Sequence, residues 1–392
     1  GNAMGAYLTM ASAGGLIFGV INIVGNFGTV FVDQAYWQRA IAAQPSSTVK
    51  GFLLGGMCWF AIPFTLATTM GLTAVAIDVE LSPEQVQLGL VVPAAASVLM
   101  GEIGAIMVLV MLFMAVTSAG SAELIAVSSL ITYDVYRTYK NPNATGKQLL
   151  KVSRGVIVAF GLGMGALAVV LLGMGLSLGF VYLAMGILIG SAVIPIALTI
   201  IWNRTTRAGA VAGALIGVCL SLTTWTSVAA SEADGVIDIA SLGGAFPMLY
   251  GNVVAILSSG LICIVISLAQ NKKFDWKDLD KHMSLVTDDM EQHEITATEV
   301  AKREQDEEQL KKAFKFSVRG GGLLTLICVV FWPMPLYFSG YVFDFGFYGL
   351  WVGIAIAWVS CAAAIIIFMP IVEARKGFAE VFSGKKHASA TK

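Results

Sequence analysis

The chain has 392 residues, 57% of them hydrophobic and only 12% charged, with a net charge of −1 and a mean hydropathy of +0.80. A soluble domain carries about 25% charged residues, so this composition belongs to the membrane class. The near-zero net charge gives no ground for a nucleic-acid partner. All five cysteines (Cys58, Cys219, Cys263, Cys328, Cys361) fall in apolar segments and read as small buried hydrophobes. Neither a disulfide framework nor metal-ligand spacing is present, so no metal or other cofactor is expected. The three histidines (His282, His293, His387) lie in polar stretches, which excludes an intramembrane histidine relay. With no nucleophile–base pair and no nucleotide-binding loop, an enzyme is not expected. The opening GNAMGAYLTM has no charged start and no cleavage site, unlike a signal peptide. It suggests the carboxy-terminal portion of a longer protein.

Nine segments are long enough to cross about 30 Å of hydrocarbon, near 7–31, 51–77, 104–128, 155–174, 178–201, 209–228, 248–269, 321–343 and 348–372. The fold class is therefore all-α, within a lipid bilayer. In the first segment, Gly14, Gly15 and Gly19 precede the cluster Gly25-Asn26-Phe27-Gly28-Thr29. Glycine weakens a helix interior, and broken helices in transporters expose carbonyls and amides to solute. Close packing of small residues is the competing reading. Asn26, whose amide needs a partner at membrane depth, keeps both open. Beyond it, Tyr36 and Trp37 suit an interface, and Asp33 with Arg39 can pair there or belong to an inner gate.

The third segment is the most informative. MLFMAVTSAGSAELIAVSSLITYD, from Met111, holds the hydroxyls Thr117, Ser118, Ser121, Ser128 and Ser129 and one carboxylate, Glu123. Polar groups at this depth are costly unless they face a cavity, an ion or a partner. Ala115, Ser118 and Ala119 share a face, with Ser121 nearby; serine hydroxyls can also bond back to their own helix. Glu123 stands about 7.5 Å past Ser118 along the axis. There it either cycles a proton or pairs with a base of the loop that follows.

Loop charges alternate. Arg39 and Lys50 follow the first segment, while Asp78, Glu80, Glu84 and Glu102 follow the second. Arg137, Lys140, Lys147, Lys151 and Arg154 follow the third, Arg204 and Arg207 the fifth, and Glu232, Asp234 and Asp238 the sixth. Under the positive-inside rule the chain starts outside and ends in the cytoplasm. The sequons at Asn143 and Asn203 then face the cytoplasm and stay unglycosylated. Residues 270–319 read as a cytoplasmic segment with a short charged helix, and 373–392 as a cytoplasmic tail.

At this point the residues resemble a known family. AVTSAGSAELIAVSSLITYD looks like the ion-site helix of the sodium:solute symporter family, and WNRTTRAGAVAGALIG, from Trp202, looks like another of its conserved stretches. GNFGTVFVDQAYWQRAIAAQP and PFTLATTMGL are similar to its urea/proton symporter branch. The resemblance implies two inverted five-helix repeats, of which residues 1–201 would be the second. Residues 202–269 and 320–372 would then add four further membrane helices. It implies a sodium position at the Ala115 carbonyl, Ser118 and Ala119, where Ala119 lacks the second hydroxyl. That favours a proton over a sodium ion as coupling partner, since a hard cation wants a full oxygen shell. Asn26 falls where sugar carriers of the family bind solute, and Thr29 where they place an aromatic gate. Gly25, Gly28 and Tyr182 join the implied urea site, although Tyr182 also suits an interfacial ring. The implied function is proton-coupled urea import across the plasma membrane. A sodium-coupled carrier of another small solute, or a sensor that binds without transporting, remains open.

Overall fold

The computed structural model describes residues 2–43, 45–276, 308 and 310–382. The described residues are nearly all helical, and nine helical spans among them are long and apolar enough to cross a membrane. They run Ala13–Val32, Gly51–Ala76, Val91–Lys140, Gly146–Gly173, Leu178–Ile201, Arg207–Glu232, Ala245–Gln270, Leu310–Ser339 and Phe345–Met369. The nine expected segments are all there, with the third much longer than 104–128. Most of the 270–319 segment and the end of the 373–392 tail lie outside the described residues.

The first span is α1 (Ala13–Val32), capped by the Ser12 hydroxyl, which accepts from Gly15 N–H. Asp33 ends it and starts α2 (Gln34–Ala42), accepting the Ala35 N–H at 2.7 Å. Trp37 Nε1 donates to the Phe31 carbonyl at 3.0 Å and ties the two helices at their turn. The second span joins α3 (Pro45–Trp59) to α4 (Thr68–Ala76) through a π-helical turn at Ile62–Ala67. Pro63 lies in that turn and has no N–H to offer the regular ladder. Within the same turn Thr65 donates to the Ala61 carbonyl and Thr68 to that of Pro63.

After the short α5 (Pro83–Gln87), α6 (Val91–Ser129) bends sharply at Gly101, whose φ of 63° suits glycine. The corner is tight, with Ala95, Ala96 and Gly104 buried. A π-helix, Leu130–Lys140, continues α6 into the basic loop. α7 (Gly146–Gly173) returns beside it, where the Ser128 and Ser153 hydroxyls meet at 2.6 Å.

The fifth span is the broken one. α8 (Leu178–Ile189) tightens into a 3-10 turn at Gly190–Ala192 before α9 (Val193–Ile201). α10 (Arg207–Glu232), α11 (Ile239–Leu242) and α12 (Ala245–Gln270) follow. α10 and α12 form the most intimate pair in the molecule. Gly209, Gly213 and Gly217, one turn apart, receive Ser267, Cys263 and Ser259 of α12, so the two backbones approach closely. The core lies where this pair meets α1 and α8, around Ile21, Ala184, Ile187 and Met248.

The eighth span carries α13 (Gly322–Thr325) and α14 (Pro333–Ser339), with one π-helical stretch before α13 and another between the two, and the last is α15 (Phe345–Phe382). They dock on the second span through aromatic rings. Phe64 lies 5.3 Å from Trp351 and 6.2 Å from Trp332, and Trp358 Nε1 donates to the Met57 carbonyl. At one end the initial segment pairs with the turn before α15: Thr9 bridges Val342 and Phe343 N–H donates to Leu8 O. Phe274 N–H donates to Asn203 O, which puts the ends of the fifth and seventh spans on one side.

Candidate functional site

α1 and α8 run side by side in the same direction. Phe18 stacks on Tyr182 with 6.4 Å between centroids, Gly25 faces Met185 and Gly28 faces Ile189. Two glycines set the crossing. A methyl group on Gly186 would lie 3.2 Å from Gly25 Cα, and one on Gly28 would lie 2.9 Å from the Ile189 side chain. α1 is an unbroken α-helix from Ala13 to Val32, so of the two readings of Gly25–Gly28 the opened helix does not occur. The glycines serve close approach instead, because a helix lacking Cβ there lets the neighbouring backbone in.

The polar groups gather on this crossing. Tyr182 Oη donates to Asn22 Oδ1 at 2.6 Å and stands 3.5 Å from Asn26 Oδ1. Asn22 Nδ2 in turn donates to the Phe18 carbonyl at 2.8 Å. One phenol and two carboxamides, a helical turn apart on α1, thus share one edge, with Asn26 and Tyr182 exposed. The structure brings Tyr182 to Asn26. Thr29 is turned to its own helix, its hydroxyl donating to Gly25 O at 3.1 Å and lying 3.8 Å from the Met185 sulfur. Asn22 was missed by sequence reasoning. Its signal was the i, i+4 spacing to Asn26, which puts both amides on one face.

The break falls in the fifth span, behind this edge. The Ser221 hydroxyl of α10 faces the carbonyls of Ile187 (3.2 Å) and Gly251 (2.8 Å), and Ser191 is buried in the 3-10 turn. Asn252 of α12 is fully buried and donates to the carbonyls of Leu183 (3.0 Å) and Met248 (2.8 Å). Its Oδ1 has no hydrogen-bond partner. Leaving a buried acceptor unmade costs about 1–3 kcal/mol, so the packing around it must compensate.

The second expected cluster separates in two. Ala115, Ser118, Ala119 and Ser121 lie on the exposed side of α6, apart from the α1–α8 edge. Ser121 donates to Ser118 O at 2.9 Å and Thr117 to Phe113 O at 2.7 Å, the back-bonding expected of isolated helix hydroxyls. Glu123 is half-buried and meets the start of α2, where its carboxyl is within hydrogen-bonding reach of Asp33 and in the field of Arg39. Two carboxyl groups can bond in this way when one of them carries a proton. No Asp33–Arg39 salt bridge forms among the described residues; Glu123 of α6 approaches both. A salt bridge joins Lys312 and Glu308, at 2.9 Å. No group of three or more histidines, cysteines and acids suited to a metal occurs among the described residues.

The described residues thus form a helical bundle of membrane-length spans with amides and carboxyls gathered at its helix crossings. The chain belongs to the sodium:solute symporter family, whose family model matches residues 2–217. It is 48% identical, over 98% of its length, to the urea-proton symporter DUR3 of Oryza sativa subsp. japonica, covering 52% of that protein. It is 39% identical to the probable urea active transporter 1 of Schizosaccharomyces pombe, over 98% of this chain and 58% of the relative. With the urea active transporter of Saccharomyces cerevisiae the identity is 35%, over 98% of this chain and 61% of the relative. The chain therefore spans about half to three fifths of the length of these relatives. No solved structure matches it.

Proposed function

We propose that this chain forms part of a secondary active transporter of the plasma membrane that imports urea with protons by alternating access. The observation that carries the reading is the 48% identity, over nearly the whole chain, to a protein named as a urea-proton symporter. The α1–α8 edge offers suitable chemistry. Urea is small, planar and neutral, with four N–H donors and one strong acceptor. The Asn22 and Asn26 carbonyls accept from its amines, and Tyr182 Oη or an asparagine amide donates to its oxygen.

Residues 1–201 act as the second five-helix repeat of an inverted pair, with 202–269 and 320–372 as accessory helices. The exposed face bearing Ala115, Ser118, Ala119 and Ser121 then meets the rest of the longer protein. Proton coupling falls to Glu123 with Asp33, because Ala119 lacks the hydroxyl that a sodium shell would use. Coupling is reciprocal, each ligand raising the other's affinity. One proton moving down a potential of about 100 mV contributes about 2.3 kcal/mol, enough for roughly 50-fold accumulation. The chain begins outside and ends in the cytoplasm.

Uptake of labelled urea by cells lacking their own carrier tests this, at acid and neutral pH, with and without sodium. Uptake that rises in acid and ignores sodium is the expected result. Dependence on sodium overturns the proton assignment, and absence of urea uptake overturns the substrate.

A further inference from the structure

Asn252 lies on α12, beyond residue 217 where the family match ends, yet it reaches the back of the α1–α8 edge. Its amide bonds the carbonyl of Leu183, the residue after Tyr182. That carbonyl belongs to a helix interior whose ladder already uses it, so the extra donor draws α8 onto α12. Its oxygen, with no donor of its own, is wedged at Gly186: a methyl group there would lie 2.0 Å from Asn252 Oδ1 and 3.2 Å from Gly25 Cα. Asn252 thus packs at Gly186, where α8 meets Gly25, the residue before Asn26, and its amide holds the carbonyl of the residue after Tyr182. An apolar side chain would fill this site without an orphaned acceptor, so stability alone does not explain the amide.

We propose that Asn252 is a positioning residue of the solute site, fixing α8 relative to α1 so that Tyr182 Oη is shared between Asn22 and Asn26. The inference rests on the functional reading above for what the site carries, and on the contacts alone for the positioning. The sharing is sensitive to small shifts. Tyr182 Oη is 2.6 Å from Asn22 but 3.5 Å from Asn26, at the edge of hydrogen bonding. A movement of a few tenths of an ångström therefore makes or breaks the second contact. Asn252→Leu keeps the bulk and removes the tie to Leu183. Gly186→Ala pushes the same contact from the other side.

The test is urea uptake by Asn252→Leu, Asn252→Ala, Gly186→Ala and the Gly186→Ala/Asn252→Ala pair, normalised to surface abundance, beside a distance measurement between spin labels at Ala13 and Leu178. Asn252→Leu should raise KM about tenfold with Vmax within about twofold, a loss of roughly 1.4 kcal/mol of binding. Asn252→Ala frees the space that the Gly186 methyl needs, so the double variant should lie well below the product of the single effects. The label distance should shift or broaden in Asn252→Leu. Should that variant fail to reach the surface, Asn252→Ala carries the same expectations. Unchanged KM, strictly multiplicative effects in the pair, or superimposable distance distributions would each overturn the proposal. A wild type that takes up no urea fails the functional reading alone, and the label distances still decide the positioning role.

Discussion

Tyr182 shows how much a single hydroxyl decides. Its hydroxyl reaches both α1 carboxamides, and its ring is held by Phe18. Tyr182→Phe keeps the stack and deletes the donor. A hydrogen bond contributes about 0.5–1.5 kcal/mol net, so the expected rise in KM for urea is roughly two- to tenfold. Asn22→Ala should do at least as much, since it removes a solute acceptor and leaves Tyr182 Oη with Asn26 alone on α1; unchanged uptake kinetics in both variants would remove this edge from the site. Asp238, outside the spans, sets a different test. It caps α11, accepting the Ser241 N–H at 2.8 Å, and the hydrogen bonds from Ser241 hold its carboxyl below the usual aspartate range. A folded-state pKa below the unfolded value means the cap's stabilisation is present above the unfolded pKa and lost as pH falls through the folded one. Exchange of the Ser241 amide, corrected for its intrinsic rate, should therefore rise in acid in the wild type. In Asp238→Asn it should stay flat, and the same rise there would assign the effect to another group.

Helices show where sequence reasoning succeeds and where it stops. The nine membrane-length segments were legible because burial in lipid demands long apolar runs, and each expected span has its helix. The position of the break was not. Glycines at 25 and 28 signal an opened helix and a close crossing alike, and only the partner decides between them. Ile189 and the Gly186 backbone lie against α1, so the crossing prevails. The actual interruption, Gly190–Ala192, is tolerated because α10 brings Ser221 to the Ile187 carbonyl, a contact 34 residues distant that no local pattern announces. Asn22 and Asn252 escaped for the same reason, as their partners lie on other helices. Glu123 was found from its chemistry, but its approach to Asp33 at the start of α2 was not. The α10–α12 pair carries the element-scale prediction. A methyl group on Gly213 would lie 2.7 Å from the Ser259 carbonyl oxygen, which is backbone and cannot swing away. Gly213→Ala should cost about 1–3 kcal/mol, read as a lower melting temperature in detergent. An unchanged melt would mean that the two helices have room to part.

For the molecule as a whole, the question is which way it faces. Two contacts constrain sidedness before any membrane is considered: Leu8 with Phe343 at one end, and Asn203 with Phe274 at the other. Helices that cross alternately put these pairs on opposite faces, as the chain order requires. The Asn203 face also holds Arg204 and Arg207, and the long α6 helix delivers Arg137 and Lys140 to the same side. The opposite face holds Asp234 and Asp238, without a lysine or arginine between Glu232 and Ala245. The proposed orientation, with the Asn203 face in the cytoplasm, agrees with this distribution under the positive-inside bias and a negative inner membrane surface. The sequons Asn143-Ala144-Thr145 and Asn203-Arg204-Thr205 should then remain bare in a eukaryotic host. An acceptor sequon engineered between Ala233 and Asp238 should be glycosylated, seen as a mobility shift removed by glycosidase. A shift from the native sequons with none from the engineered site would invert the molecule. The basic face would then be outermost, and Glu123 with Asp33 would meet the exterior before the solute edge does.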